Sequence, residues 1–399
     1  MQWPEFYHGI KDRLYEHWGM EKITFLRTLG GGKSQALVYV IEILSKVHNG
    51  QAVLKFSTKS EWSVTEQVES IRFKKVCTGE YARLHFPPLL ATFEDEEYFA
   101  ALVEIAGGDI NLLSSLYECP VNQRNKVILA LSTGILKGWN SDCKLNSALP
   151  PAFILREWLG YRIIPAEGGR IFEFVEKELK LNRESRLCNS GGRWYPNPCA
   201  YVANNSLWHK EEIIGIKGRL HGDLHGGNIL GKSNFADALY YLIDFALAEE
   251  EAFLFYDHAY LELSLLFSEI GYVAPEQWLG ILQSLVSSDP FDVNLAGEDP
   301  GVVHNIWNIR QGIRSWAAVH PLVAGHAKEV AKQTLLARIA AGLNFVNKAI
   351  EPRLRKFAFL YAAENLRKYL ECAKINWYEE ECETLKVKKH SAGFGQVSM

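Results

Sequence analysis

Short apolar runs alternate with turn residues over the first hundred positions of the chain. The runs are rich in β-branched residues, and the dipeptide Asn49-Gly50 separates two of them. An Asn-Gly step between such runs is typical of a β-hairpin. The last run of this region stops at Gly107-Gly108. The pattern therefore predicts an antiparallel sheet whose strands include residues 23–26, 36–43, 52–56 and 98–106.

Apolar positions at helical spacing dominate the rest of the chain, most clearly after residue 275. The two patterns together predict an α+β protein. Residues 379–399 are polar and contain glycine, which is typical of a loose tail. Helices are predicted over residues 63–76, 111–117, 124–139, 170–181, 277–286, 303–319, 327–346 and 354–375.

Composition excludes some classes of function. Basic and acidic residues nearly balance, 43 against 47, which gives a net charge of −4. Such a chain has no overall basic field, so nucleic acid is not an expected partner. No apolar stretch approaches the length of about 18 residues that indicates a membrane span, and the first residues do not resemble a secretory signal. The sequence therefore predicts a cytoplasmic protein with no membrane partner.

Seven cysteines are scattered along the chain without a Cys-x-x-Cys pair. An odd number without metal-type spacing favours reduced, buried thiols in a cytosolic protein. Cys188 and Cys199 flank a Gly- and aromatic-containing loop. They are the pair that could approach each other to form a bridge or to hold a metal.

Two polar motifs carry the candidate chemistry. Residues 221–230 read HGDLHGGNIL, which places Asn228 five residues after Asp223. Asp244 follows the apolar run 239–243, which predicts a buried strand. A carboxylate at the end of a strand emerges from the sheet, where it can reach a metal. Protein kinases use H-R-D-x-x-x-x-N and D-F-G in this order to place a substrate hydroxyl and magnesium.

These motifs resemble the aminoglycoside phosphotransferase and choline kinase branch of the protein-kinase-like superfamily. That branch carries H-G-D-x-x-x-x-N, with Gly222 at the position of the kinase Arg. Ala246 stands in place of the Gly of D-F-G, a frequent departure in the branch. The resemblance covers residues 23–265 and implies a two-lobed α+β fold. The implied parts are a small antiparallel β lobe over residues 1–106, a larger helical lobe over 107–378 with an insertion at 142–216, and the tail 379–399.

The resemblance also implies roles for individual residues. Asp223 is the expected catalytic residue, which orients the acceptor hydroxyl and takes its proton. Lys55, in Val53-Leu-Lys55, resembles the kinase lysine that contacts the nucleotide phosphates. The Gly-rich turn is not a Walker A loop, because Arg27 stands where that motif needs its first Gly and a strand follows the turn. The expected metal ligands are Asn228 and Asp244, and the other expected nucleotide-binding residues are Gly30, Gly31, Gly32, Ser34, Glu69, Glu104 and Ala106.

Three glutamates compete to orient Lys55. Glu66 and Glu69 are one turn apart on the helix predicted over 63–76, so they can share a face. Glu80 is a third alternative, and the sequence favours Glu69 only weakly. In this fold, Glu104 and Ala106 would present backbone groups to the adenine edge.

The spacing after the metal motif bears on the substrate. Asp257 resembles the helix-start Asp of this fold and lies only thirteen residues after Asp244. Protein kinases place several dozen residues there, including the segment that presents a peptide. The expected function is therefore transfer of the γ-phosphoryl group of ATP, with Mg²⁺, to a hydroxyl of a small molecule. Two alternatives stay open: a nucleotide-binding regulator or scaffold without turnover, with a protein partner, and a protein-directed phosphoryl or nucleotidyl transferase.

Overall fold

The computed structural model describes residues 5–29, 37–59, 68, 70–74, 77–190, 192–232, 238–270, 275–286, 289–293, 300–348 and 350–378. Over these residues the chain is an α+β protein, as predicted. It forms two compact units, Met1–Asp142 with Arg219–Ala252, and Cys143–Gly218 with Phe253–Met399. This division does not coincide with the lobe boundary predicted between residues 106 and 107.

The first unit contains a five-stranded antiparallel sheet with the strand order β1-β2-β3-β5-β4. The predicted hairpin is confirmed, since the second and third strands pair from Leu37↔Phe56 to Leu44↔Asn49. Asn49 and Gly50 open the third strand instead of forming the turn itself. The strands are β1 (Met20–Leu29), β2 (Leu37–Ser45), β3 (Asn49–Thr58), β4 (Leu89–Glu94) and β5 (Tyr98–Glu104).

One face of this sheet is buried beneath helix α1 (Glu5–Trp18). Ile10 and Trp18 of the helix lie in the same apolar core as Leu54 and Phe56 of β3. Because successive strand residues point to opposite faces, Lys55 lies on the other face of the sheet. Local alternation along β3 thus fixes the side from which Lys55 can meet a ligand.

A smaller three-stranded sheet in the same unit has the order β12-β11-β6. Its strands are β6 (Leu113–Ser115), β11 (Ile229–Lys232) and β12 (Tyr240–Leu242). The helix predicted over 111–117 is wrong, because Leu113–Ser115 pairs antiparallel with Leu230 to Lys232. The unit also contains α2 (Glu80–His85) and α3 (Asn125–Gly134), which a π-helical turn continues to Trp139, and the chain leaves the unit along β13 (Glu249–Phe253).

Aromatic packing joins the segment after Asp244 to the rest of the first unit. The Phe245 ring is fully buried and lies 4.3 Å from Phe86, 5.6 Å from Phe73 and 6.5 Å from Trp139, measured between centroids. Burying an aromatic side chain stabilises a fold by roughly 2–3 kcal/mol. This cluster packs the residue after Asp244 against three other segments of the same unit.

The second unit is mainly helical, and the four helices predicted after residue 275 are confirmed. Glu262 is buried among Arg310, Arg338 and the Tyr361 hydroxyl. Although burial raises the pKa of Glu262, the two arginines hold it below its usual value, so the group stays ionised. The late helices are α7 (Tyr256–Ile270), α8 (Pro275–Leu285), α9 (Pro300–Val319), α10 (Ala327–Asn347) and α11 (Pro352–Cys372).

The stretch predicted as an insertion, residues 142–216, lies almost entirely in the second unit. The helix predicted over 170–181 is confirmed as Ile171–Lys177. Cys188 and Cys199 are free and buried, so the bridge considered for them does not form. The elements here are β7 (Lys144–Leu149), α4 (Pro151–Leu159), α5 (Ile171–Lys177), β8 (Leu187–Ser190), β9 (Arg193–Pro196), α6 (Pro198–Ala203) and β10 (Ile213–Leu220).

In the part of the chain that the structure describes, no helix combines the length and the apolar character needed to cross a membrane. The predicted tail, residues 379–399, lies outside the described residues.

Candidate functional site

A cavity in the first unit lies against the sheet face that carries Lys55. Its walls are largely apolar, which suits the flat base of a nucleotide or a similar ring. Two lysines, one aspartate and one glutamate are the charged residues of the wall. The lining residues are Leu29, Val38, Val53, Lys55, Ser70, Ile71, Lys74, Pro87, Leu89, Ala101, Val103, Glu104, Ile105, Ala106, Ile110, Leu113, Leu230, Ile243 and Asp244.

Lys55 and Asp244 meet at this cavity. The Lys55 Nζ atom lies 3.8 Å from Oδ1 of Asp244, and the side chains are 31% and 42% exposed. An ion pair this open to water contributes little to folding, typically below about 1 kcal/mol. Lys55 is held in register by its neighbours Val38 and Ala101 in the sheet. The pair is therefore better explained by ligand binding than by stability.

Backbone contacts tie the loop after β10 to the strand that precedes Asp244. His221 Nε2 lies 2.8 Å from the carbonyl oxygen of Ile243, and the Ile243 N–H donates to the Asn228 carbonyl at 3.1 Å. The Asn228 Nδ2 atom donates to the Asp223 carbonyl at 3.0 Å. The structure thus ties the loop that carries Asp223 and Asn228 to the residue that precedes Asp244.

The Asp244 backbone has a φ of 68°. That left-handed conformation is uncommon for residues other than glycine, although aspartate tolerates it better than most. Such strain, of order 1 kcal/mol or more, persists where the surroundings enforce it, and it concentrates at functional sites. The bond between Ile243 and Asn228 and the buried Phe245 ring fix the chain on both sides of Asp244.

Asn228 and Asp244 each carry side-chain oxygens of the kind that magnesium takes as ligands. Because Nδ2 of Asn228 donates to a carbonyl, the amide oxygen is the atom of that side chain suited to a cation. Magnesium takes oxygen ligands and commonly uses one or two protein side chains together with substrate phosphates. Within the described ranges, no group of three or more His, Cys, Asp or Glu side chains is arranged to hold a metal by itself.

Gly222 is required by the shape of the loop. Its φ is +79°, and a Cβ atom there would lie 2.0 Å from the backbone oxygen of Leu247. No side chain fits against backbone at that distance, so a residue larger than glycine is excluded at this position.

Lys74 is a polar residue of the cavity that the sequence did not reveal. Its Nζ donates to the carbonyl of Pro87 at 3.1 Å and lies 5.6 Å from the centroid of the Phe245 ring. Burial, and then the charge of Lys55, lower the pKa of Lys74 to about 7, although Asp244 opposes the shift. A lysine on a predicted amphipathic helix is ordinarily interpreted as a surface residue, and no local pattern distinguishes this one.

Replacing Lys74 by Met should stabilise the protein in a pH-dependent way. Below about pH 7 the lysine is charged in both the folded and the unfolded chain, so the cost of burying the ammonium is fully present. Above that pH the folded lysine is neutral while the unfolded one keeps its proton until near its model value of 10.5, so the wild type gains stability as pH rises. We expect Lys74→Met to raise the free energy of unfolding by about 1–3 kcal/mol near pH 6, and by less near pH 9.

Urea unfolding of both proteins at the two pH values measures this difference. Lys137→Met is the matched control, because Lys137 is an exposed lysine of the same unit. If the advantage of Lys74→Met over the wild type grew as pH rises, it would contradict a buried lysine whose pKa is lowered to about 7.

The remaining predicted nucleotide residues are placed as follows. Glu104 ends β5, donates its N–H to the Pro88 carbonyl at 2.9 Å and lines the cavity, as does Ala106. Glu80, an alternative partner for Lys55, is exposed at the start of α2 and lines a different pocket. Residues Gly30, Gly31, Gly32, Ser34, Glu66 and Glu69 lie outside the described residues.

Comparison with known proteins adds no identification. A scan against models of protein families finds no match to this chain, and a search of curated proteins finds no significant relative. The chemistry of the site therefore has to be argued from its own geometry: an apolar cavity, a lysine, a carboxylate and an amide that suit magnesium, and a second carboxylate on the adjoining loop.

Proposed function

We propose that this protein is an ATP- and Mg²⁺-dependent phosphotransferase that moves the γ-phosphoryl group to a hydroxyl of a small molecule, on a two-lobed protein-kinase-like fold. The observation that carries the proposal is the meeting of Lys55 and Asp244, 3.8 Å apart, in the lining of an apolar cavity. The loop that holds Asn228 and Asp223 is bonded to the residue before Asp244.

The cavity supports a nucleotide as the phosphoryl donor. Val38, Val53 and Leu230 line it and would enclose the base between apolar surfaces. Glu104 and Ala106 would offer backbone groups to the edge of the ring. Lys55 lies further along the same wall and would hold the phosphate chain by charge.

Asp223, Asn228 and Asp244 would then have separate roles in phosphoryl transfer. Asn228 and Asp244 would hold Mg²⁺, which neutralises negative charge on the phosphates. Asp223 would orient the acceptor hydroxyl and accept its proton. The acceptor oxygen forms a bond to the γ-phosphorus while the bond from that phosphorus to the bridging oxygen breaks, and ADP leaves with the electron pair. Such transfer depends mainly on positioning and on charge stabilisation.

The short segment after Asp244 supports a small acceptor. Residues 238–270 are all described, and between Asp244 and helix α7 they form a turn and the short strand β13. Asp257 lies in the first turn of that helix. A segment of this length leaves no room for the long loop on which protein kinases present a peptide.

A substrate screen tests the proposal directly. The purified full chain, with ATP and MgCl₂, should form ADP when a suitable sugar, amino alcohol, choline or nucleoside is added, and mass spectrometry should find one phosphoryl group on that compound. The Asp223→Asn protein, purified in the same way, controls for contaminating kinases. Binding of Mg-ATP without turnover on any acceptor would favour a nucleotide-binding regulator, and transfer to proteins would favour a protein-directed enzyme.

A further inference from the structure

His225 lies on the catalytic loop between two groups that use different nitrogens of its ring. The N–H of Gly227 donates to His225 Nδ1 at 3.0 Å. A ring nitrogen that accepts a hydrogen bond carries no proton, so the neutral ring has its proton on Nε2. His225 Nε2 lies 3.6 Å from Oδ2 of Asp223. An N–H group thus faces the carboxylate that would receive the substrate's proton.

The ring is also held in plane. Tyr117 stacks on His225 at 6.0 Å with an angle of 8° between the rings. The Tyr117 ring is itself seated against Gly226, where a Cβ atom would lie only 2.6 Å from it. The N–H of Leu116 donates to the Gly226 carbonyl at 3.0 Å, which fixes the two segments together. The direction in which Nε2 points is therefore set by packing.

A role in bracing the loop explains the contact of Nδ1 but not the position of Nε2. The contact with Gly227 closes the short 3-10 turn Gly226–Asn228 and uses Nδ1 alone. Nε2 faces Asp223, which lies outside that turn. Its position beside Asp223 needs a separate explanation, and the separation of 3.6 Å is short enough to become a hydrogen bond when substrate closes the site.

We infer that His225 is a positioning residue whose Nε2–H holds one oxygen of Asp223 and directs the other oxygen toward the acceptor hydroxyl. This inference rests on the proposed function. A carboxylate with one oxygen fixed keeps a single orientation, and groups that orient a reacting side chain in this way are commonly worth 10- to 100-fold in rate, roughly. In this role His225 acts only through Asp223 and forms or breaks no bond with the substrate.

Two substitutions distinguish the contact made by Nδ1 from the contact made by Nε2. In His225→Gln the amide nitrogen replaces Nε2 and can still donate to Asp223, whereas the acceptor for Gly227 is lost. In His225→Asn the amide oxygen replaces Nδ1 and can still accept from Gly227, whereas the donor to Asp223 is lost. Comparable unfolding temperatures for the two variants would show that both are folded before their kinetics are compared.

We expect His225→Gln to keep kcat within about threefold of wild type, and His225→Asn to lower kcat roughly 10- to 100-fold with the KM for ATP unchanged. The reverse order, or equal losses in both variants, would show that His225 only braces the loop. Ring ¹⁵N chemical shifts of His225 in the labelled wild-type protein provide a readout that does not depend on turnover. A proton on Nδ1 overturns the inference alone, whereas a wild type without phosphotransfer to any acceptor overturns the proposed function.

Discussion

Asp223→Asn is expected to lower kcat for phosphoryl transfer by roughly 10³-fold, within the range of about 10²–10⁴ that a positioned general base contributes. The substitution keeps the shape of the side chain but removes its capacity to take a proton. The loop should survive, because Asn228 donates to the backbone carbonyl of Asp223 and not to its side chain. Affinity for Mg-ATP should therefore stay within about twofold of wild type, since Lys55 and Asp244 are untouched.

Two measurements check this expectation, namely ADP release with a saturating acceptor and titration of the protein with Mg-ATP. Asp142→Asn is the matched control. Asp142 is an exposed aspartate of the same unit, paired with Arg219 at 2.6 Å, and it does not line the cavity that Lys55 and Asp244 line. It should retain wild-type turnover. Equal turnover in the Asp223 and Asp142 variants would remove Asp223 from the mechanism.

Local sequence patterns were sufficient where neighbouring residues decide the structure. The alternation along β3 is visible in the sequence, and it places Lys55 on the face opposite the core residues Leu54 and Phe56. The spacing from Asp223 to Asn228, and the apolar run before Asp244, also anticipated a loop and a strand that the structure brings together. The face of β3 follows from periodicity within a few residues, whereas the meeting of the loop with the residue before Asp244 was what the resemblance implied.

Patterns failed where a distant partner decides the structure. Residues 113–115 form a strand because β11, more than a hundred positions later, supplies hydrogen bonds, and no periodicity within the segment indicates this. Lys74 becomes a cavity residue because Phe245 and Pro87 enclose it. The aromatic cluster around Phe245 joins residues of the first unit that are remote in sequence. Gly222 could be assigned to the motif, but the approach of Leu247 that requires it appears only in the fold.

The ionic balance of the cavity connects these observations to function. Lys55 and Lys74 both line it, and the carboxylates among the lining residues are those of Asp244 and Glu104. The positive charge of Lys55 lowers the pKa of Lys74 further after burial has lowered it, so the two lysines compete for negative charge. A triphosphate would relieve that competition, because its oxygens can accept from both ammonium groups. Below about pH 7, where Lys74 is charged, the same cavity without an anion keeps two like charges near each other, at a cost to the fold.

Asp244→Asn is expected to remove the effect of magnesium on nucleotide binding. In the wild type, Mg²⁺ should strengthen ATP binding, since the Asp244 carboxylate repels the phosphates until a cation lies between them. In Asp244→Asn the side chain no longer repels the phosphates, and Mg²⁺ loses its negatively charged protein ligand. We expect affinity for Mg-ATP to fall by roughly 10²-fold and turnover by at least as much. Losing a metal ligand should cost at least as much affinity as losing a residue that supports such a ligand.

The affinity for metal-free ATP distinguishes loss of the magnesium ligand from a general disruption of the pocket. Its affinity for Asp244→Asn should equal or exceed that for the wild type, since Lys55 then meets the phosphates without a competing carboxylate 3.8 Å away. Isothermal titration with ATP in MgCl₂ and in EDTA measures both quantities on each protein. If metal-free binding collapsed together with Mg-ATP binding, Asp244 would be holding the pocket together, and a magnesium ligand would have to be sought elsewhere. Asp142→Asn should respond to magnesium as the wild type does, since its carboxylate lies outside the cavity lining.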